Sequence, residues 1–306
     1  MLKKYTSTYQ IRFYECDTIG HLNNANYLKL MQEAAFEASA AVGYDRQKYE
    51  ELGQIWLIRE TEIEYYQPIL FFDQVNIVTW VSDIHRVRSI REYEFHNTHT
   101  NNLAAKARTD WVYLDRESLR PTTVPKEVQQ AYLDPDELPN PLRRTRFPDL
   151  PAPASEVFTI RKRVEWRDLD PWGHVHNSVY LSYVEDCGMQ IAAAYGWPWK
   201  RMESMGFAIV ARRHHIEYRV SALMDDELEI STWVSSIRRS TGIRHYLIKR
   251  VSDGEIIARC HSLYVWVDLK SLRPIRIPEI FLNTFLNNIS TEHWNGYKAQ
   301  GIGDPT

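Results

Sequence analysis

Cysteine is scarce in this chain of 306 residues: Cys16, Cys187 and Cys260 are all there is. Three unpatterned thiols exclude a disulfide framework and give no zinc-type ligand spacing. Charge of one sign is lacking too. The net charge of −3 and a pI near 6.4 provide no electrostatic drive toward nucleic acid or an anionic membrane. Long apolar runs are missing, so no membrane-spanning helix is expected. The opening Met1-Leu2-Lys3-Lys4 has no apolar segment behind its lysines, unlike a secretory signal. A cytoplasmic protein is the expectation left by these exclusions. What is present is ordinary for a folded protein, with 44% hydrophobic and 25% charged residues and a length that suits two domains.

An internal repeat organises the chain. Shifted by 153 residues, it aligns with itself without a gap from about residue 11 to about residue 125. Asp17, Gly20, His21, Asn24 and Tyr27 fall on Asp170, Gly173, His174, Asn177 and Tyr180. Further along, Ile63-Glu64-Tyr65 meets Ile216-Glu217-Tyr218, and Ser118-Leu119-Arg120-Pro121 meets Ser271-Leu272-Arg273-Pro274. The period is too long for a solenoid and suits a duplicated small domain.

Each copy predicts a short extended segment (8–15; 158–166), a polar loop, one helix, and four strands. The helices are expected at about 25–42 and 178–195, with Asn24 and Asn177 as N-caps and Gly43 and Gly196 just past the ends. Ala34, Ala35, Ala38, Gly188, Ala192 and Ala193 would let a sheet wrap closely. The strands are expected at 55–66, 74–84, 88–98 and 103–115, then 208–219, 227–237, 241–251 and 255–268, with Ser252-Asp253-Gly254 as a hairpin turn. One helix followed by an antiparallel meander gives an α+β layer. An unpaired edge in each copy predicts that the two sheets join. The expected organisation is a first unit at 1–125, a Pro-rich linker at 126–157, a second unit at 158–285, and a loosely held tail at 286–306.

The loop before each helix carries the chemistry. It reads Asp17-Thr18-Ile19-Gly20-His21-Leu22-Asn23-Asn24-Ala25-Asn26-Tyr27 in one copy. In the other it reads Asp170-Pro171-Trp172-Gly173-His174-Val175-His176-Asn177-Ser178-Val179-Tyr180. This resembles the 4-hydroxybenzoyl-CoA thioesterase branch of the hotdog superfamily, and the doubling is similar to acyl-ACP thioesterases. The resemblance implies a tandem double hotdog that hydrolyses acyl-CoA or acyl-ACP thioesters, without metal or cofactor. It also allows homo-oligomers of the fused pair. It makes Asp17 and Asp170 nucleophiles or general bases and gives His21 and His174 a positioning role. Gly20, Asn24 and Tyr27, with Gly173, Asn177 and Tyr180, would then bind substrate. Free N–H groups at a helix N-terminus are suited to polarise a thioester carbonyl. Two departures stand out: His176 replaces the first Asn, and Ile19 and Trp172 occupy the position of the Asn of acyl-ACP thioesterases. Glu33, Glu185 and Asp186 are further candidates for a helix carboxylate, and Trp56 or Trp172 for the lining of an acyl channel.

Blander readings compete. An aspartate before a helix commonly caps its own loop, although its recurrence in both copies with Gly-His following favours chemistry. Cys16 has Leu169 as its counterpart and reads as a small hydrophobe. His214 and His215, adjacent on a strand, face opposite ways and make no metal site. A non-catalytic acyl-binding protein shares the fold, as do hydratases, whose Asp-x-Asn-Pro-x-His pattern is not met here.

Overall fold

The computed structural model describes residues 3–133 and 146–290. The first half runs β1 (Tyr5–Gln10), α1 (Asn24–Ala41), α2 (Arg46–Glu51), β2 (Gln54–Tyr65), β3 (Gln74–His85), β4 (Arg88–Asn97), β5 (Leu103–Asp115) and α3 (Lys126–Tyr132). The second half repeats that order as β6 (Phe158–Arg163), α4 (Asn177–Ala194), α5 (Trp199–Ser204), β7 (Phe207–Tyr218), β8 (Glu227–Ile237), β9 (Thr241–Arg250), β10 (Ile256–Asp268) and α6 (Glu279–Thr284). All ten strands form one antiparallel sheet in the order β1-β3-β4-β5-β2-β7-β10-β9-β8-β6. The order reads alike from either edge, with β2 against β7 at its centre. This is a mixed fold of one large antiparallel sheet and few helices.

Helices α1 and α4 pack side by side against this sheet, and their apolar faces share one core. Leu28, Met31, Ala34 and Ala35 from α1 meet Leu181, Val184 and Cys187 from α4, with Ile63, Ile77, Phe95, Ile216, Ile230 and Ile248 from the strands. Gly188 shows why small residues matter here, because a Cβ at that position would lie 3.0 Å from the Tyr246 hydroxyl.

The β2–β7 seam carries crossed ion pairs. Each strand has a bulge, at Arg59 and at Arg212, where the ladder to its outer neighbour skips a residue. A bulge re-aims its extra side chain. Arg59 reaches across to Glu217 at 2.8 Å and to the Tyr218 carbonyl, while Arg212 reaches back to Glu64 at 3.2 Å and to the Tyr65 carbonyl.

Several expectations are corrected. The N-caps are Asn23 and His176, one residue earlier than Asn24 and Asn177. Asn23 Oδ1 accepts from Ala25 N–H at 3.0 Å, and His176 Nδ1 accepts from Ser178 N–H at 3.2 Å. The short segment expected at 8–15 pairs earlier, at Tyr5–Gln10, and then turns. The start of the expected linker folds as α3, which buries Val128 and Tyr132 because both are apolar on one face; residues 134–145 lie outside the described part. The tail is held at its start. Ile289 bridges Val234 and Asn288 is fully buried, its amide donating to the carbonyls of Glu156 and Thr232. Residues 291–306 lie outside the description.

Candidate active site

In each half the polar loop is closed by its aspartate. Asp17 Oδ1 accepts from the N–H groups of Ile19 and His21, both at 3.0 Å, and Asp17 N–H donates to the His21 carbonyl at 2.8 Å. Asp170 does the same with Trp172 at 2.9 Å and His174 at 3.2 Å. Loop capping is therefore real at both positions. It occupies one carboxylate oxygen, and among the described residues Oδ2 of neither aspartate accepts a hydrogen bond. Gly20 and Gly173 take φ of +79° and +80°, with open space where a Cβ would stand. The turn's left-handed backbone, rather than crowding, demands glycine. His21 and His174 act on the loop through their backbones; burial lowers the His21 imidazole pKa, against an opposing pull from Asp17.

Each loop delivers the chain to a helix N-terminus. The N–H groups of Asn24 and Asn177 stand at the first helical position, where no intrahelical carbonyl reaches them. The helix dipole makes this end electropositive. Tyr27 and Tyr180, one turn on, are buried behind the loop. The Tyr180 hydroxyl accepts from Ala222 N–H at 3.0 Å, so these tyrosines brace the loop against the sheet.

The two helix ends differ in what faces them. Across from the first loop, midway along α4, lies Glu185. Asn24 Nδ2 donates to its Oε1 at 2.7 Å and Asn23 Nδ2 to its Oε2 at 3.1 Å. Both carboxylate oxygens are thus held by the neighbouring helix end. Burial raises the Glu185 carboxyl to about 7; the two asparagine bonds oppose this, and the charges of Asp17 and Asp186 add to it. Across from the second loop, the residue at the matching position of α1 is Gln32. It lines a small cavity with Leu28, Met31, Ile58, Thr61, Tyr93, Thr109 and Asn177.

The other candidates fall elsewhere. Glu33 and Asp186 sit on exposed faces of their helices. Trp56 belongs to a separate cluster with Tyr49, Tyr113 and Tyr132, its indole donating to the Tyr49 hydroxyl at 3.0 Å. Its apolar neighbourhood lies away from both loops, so it lines no channel there. Trp172 stays in the second loop, partly exposed. The sequence offered Glu185 as one helix carboxylate among three. Its distinguishing feature, Gln32 as its counterpart, was available from the repeat.

Comparison with known proteins fits this layout. Residues 2–132 match the acyl-ACP thioesterase N-terminal domain family, and residues 164–285 match the thioesterase-like superfamily. Oleoyl-acyl carrier protein thioesterase 1 of Arabidopsis thaliana is 24% identical over 196 residues, which cover 59% of this chain and 53% of the relative. The chain thus spans about half the length of that relative. The long-chain acyl-CoA thioesterase FadM of Escherichia coli is 25% identical over 118 residues, 38% of this chain and 86% of the relative. Among solved structures, the 12:0-ACP thioesterase of Umbellularia californica superposes with a TM-score of 0.67 at 18% identity, covering 85% of this chain and 93% of that one. Each half of the chain thus matches a thioesterase family model, and the chain is similar in fold to an acyl-ACP thioesterase.

Proposed function

We propose that this protein hydrolyses acyl thioesters of coenzyme A or acyl carrier protein, and that it does so at one of its two pseudo-symmetric helix ends. In this reading the chain is a tandem double hotdog, with units at 1–125 and 158–285. The working site combines the Asp17 loop, the N-terminus of α1, and Glu185 of α4. The observation that carries it is the clamp of Asn23 and Asn24 on a partly buried Glu185, set against Gln32 at the other end.

The chemistry follows from the groups present. The thioester carbonyl oxygen accepts from the Asn24 N–H at the positive end of α1, which stabilises the charge that develops there. Near neutral pH about half of the Glu185 carboxyls are ionised. An ionised Glu185 takes a proton from water as the water oxygen attacks the carbonyl carbon. The tetrahedral intermediate collapses with cleavage of the C–S bond, and the leaving thiolate recovers the proton from Glu185. Asp17 fixes the loop through Oδ1, and its charge adds to the burial that raises the Glu185 carboxyl. A glutamine at position 32 cannot accept that proton, so the second end binds without turnover.

The test is thiol release from acyl-CoA and acyl-ACP by the wild type, Glu185→Gln, Asp17→Asn and Asp170→Asn. Glu185→Gln should lose about 10²- to 10⁴-fold in kcat and Asp17→Asn about tenfold, while Asp170→Asn should stay within a few-fold. Equal losses in Asp17→Asn and Asp170→Asn would refute the single-site reading. A folded wild type without any thiol release would refute hydrolysis.

A further inference from the structure

The wall behind Glu185 is more polar than its counterpart, and it is incompletely satisfied. Where the cavity at the second end has Thr61, Tyr93 and Thr109, the repeat places His214, Tyr246 and Ser262 at the first. His214 is fully buried. Its Nδ1 shares a 2.8 Å hydrogen bond with Ser262 Oγ, but its Nε2 has no partner. The buried Tyr65 hydroxyl also has none. The Tyr65 ring stands edge-on to His214, with centroids 5.9 Å apart, and packs on Tyr27 of α1 at 5.1 Å. Burial raises the pKa of Tyr65 and of Tyr264, and the charge of Glu185 adds to both shifts. Two open hydrogen-bonding atoms thus stand in the wall that the repeat places at the Glu185 end.

The matching wall at the second end leaves nothing open among the described residues. Tyr218, the counterpart of Tyr65, donates to the Asn177 carbonyl at 3.3 Å. Thr109 Oγ1 meets the Tyr93 hydroxyl at 3.2 Å and accepts from Trp111 Nε1 at 2.6 Å. A buried polar atom without a partner costs on the order of 1–3 kcal/mol, and native proteins keep few of them. Two such atoms in the wall at the Glu185 end, and none in the matching wall, point to a partner that arrives with the substrate.

We propose that the acyl group accepted at this site carries an oxygen substituent, a hydroxyl or a ketone, close to the thioester carbonyl, and that Tyr65 Oη and His214 Nε2 bind that oxygen. A ketone oxygen accepts from the Tyr65 hydroxyl and from an Nε2–H. A hydroxyl satisfies either tautomer of His214, because it both donates and accepts. His214 remains neutral in this role, since burial pushes its pKa down to about 3. This inference rests on the hydrolytic reading above and deepens it to a substrate class.

The experiment compares 3-hydroxyacyl-, 3-oxoacyl- and unsubstituted acyl-CoA of equal chain length with the wild type, Tyr65→Phe and, as a second-end control, Tyr218→Phe. The wild type should favour one oxygenated substrate by about tenfold or more in kcat/KM. Tyr65→Phe should bring that ratio close to one while retaining turnover of the unsubstituted thioester, and Tyr218→Phe should keep the wild-type ratio. A wild-type ratio near one, or a ratio unmoved by Tyr65→Phe, overturns the inference while leaving hydrolysis intact. If no thioester is cleaved, calorimetry with the corresponding uncleavable thioethers separates the two ideas. Tighter binding of the oxygenated thioether, lost in Tyr65→Phe, upholds the oxygen site; equal binding overturns it.

Discussion

At residues 17–24 and at 170–177 the chain makes one turn twice: an aspartate closes the loop on two backbone N–H groups, a left-handed glycine follows, and a side-chain acceptor caps the helix. The surroundings of the two turns have diverged. The first faces Glu185 and a wall with His214 and an open Tyr65 hydroxyl, and the second faces Gln32 and a wall of paired threonines. Duplication kept the scaffold on both sides and concentrated titratable groups on one. The backbone that positions a substrate and the side chains that transform it are therefore separable properties of this fold.

The largest effect that would test this asymmetry is on the pH dependence of the rate. With Glu185 as the base, kcat should rise with pH through about 7 and level off above it; a stopped-rate profile checks this, and a flat profile assigns the proton transfer elsewhere. A smaller effect concerns stability. Gln32→Glu places a carboxylate in the other cavity, where Asn177 is present but His176 replaces the second asparagine of the clamp. This should lower stability by about 1–3 kcal/mol at pH 8. The penalty should shrink toward pH 5, where a carboxyl with a raised pKa becomes neutral, and thermal melts at both pH values measure it.

Comparable in size is the acid sensitivity of the second half. Burial holds His214 and His245 near pKa 3, so the folded state refuses protons that the unfolded chain takes up below about pH 6.5. Stability from these groups is thus complete above the unfolded value and falls as pH drops, by about 2 kcal/mol for each at pH 5. His214→Thr, which copies Thr61 of the first half, should flatten that slope in chemical denaturation. The smallest effect is at the caps: His176→Ala should cost about 1 kcal/mol of stability with little change in rate. Asn23→Ala should cost a similar amount and also lower kcat, because Asn23 holds Glu185 as well as its helix.

Much of this was legible in the sequence. The offset repeat gives the element order. The limits of the strands that follow each long helix agree with the structure to within a residue or two, because period-two patterning and Gly43 and Gly196 mark clear ends, whereas the first strand of each half is shorter than expected. The caps were misplaced by one residue, since Asn23 and Asn24 are adjacent and equally suited, and a histidine cap such as His176 has no strong signal. The bulges at Arg59 and Arg212 are not visible in a run of alternating residues. The clamp on Glu185 joins positions 161 and 162 residues apart, so no local pattern reports it. The repeat alone could have singled it out, through the carboxylate–amide exchange at a partly buried helix position.

That separation also sets a schedule. A ribosome that has released the Asp17 loop must add more than 160 residues before Glu185 exists to be clamped, and the central strand pair β2–β7 closes later still. Truncated or half-folded chains therefore have the loop and the helix end but lack the group that takes the proton. Under the proposed mechanism, turnover begins only when the last large piece docks, and catalytic activity becomes a direct readout of completed assembly.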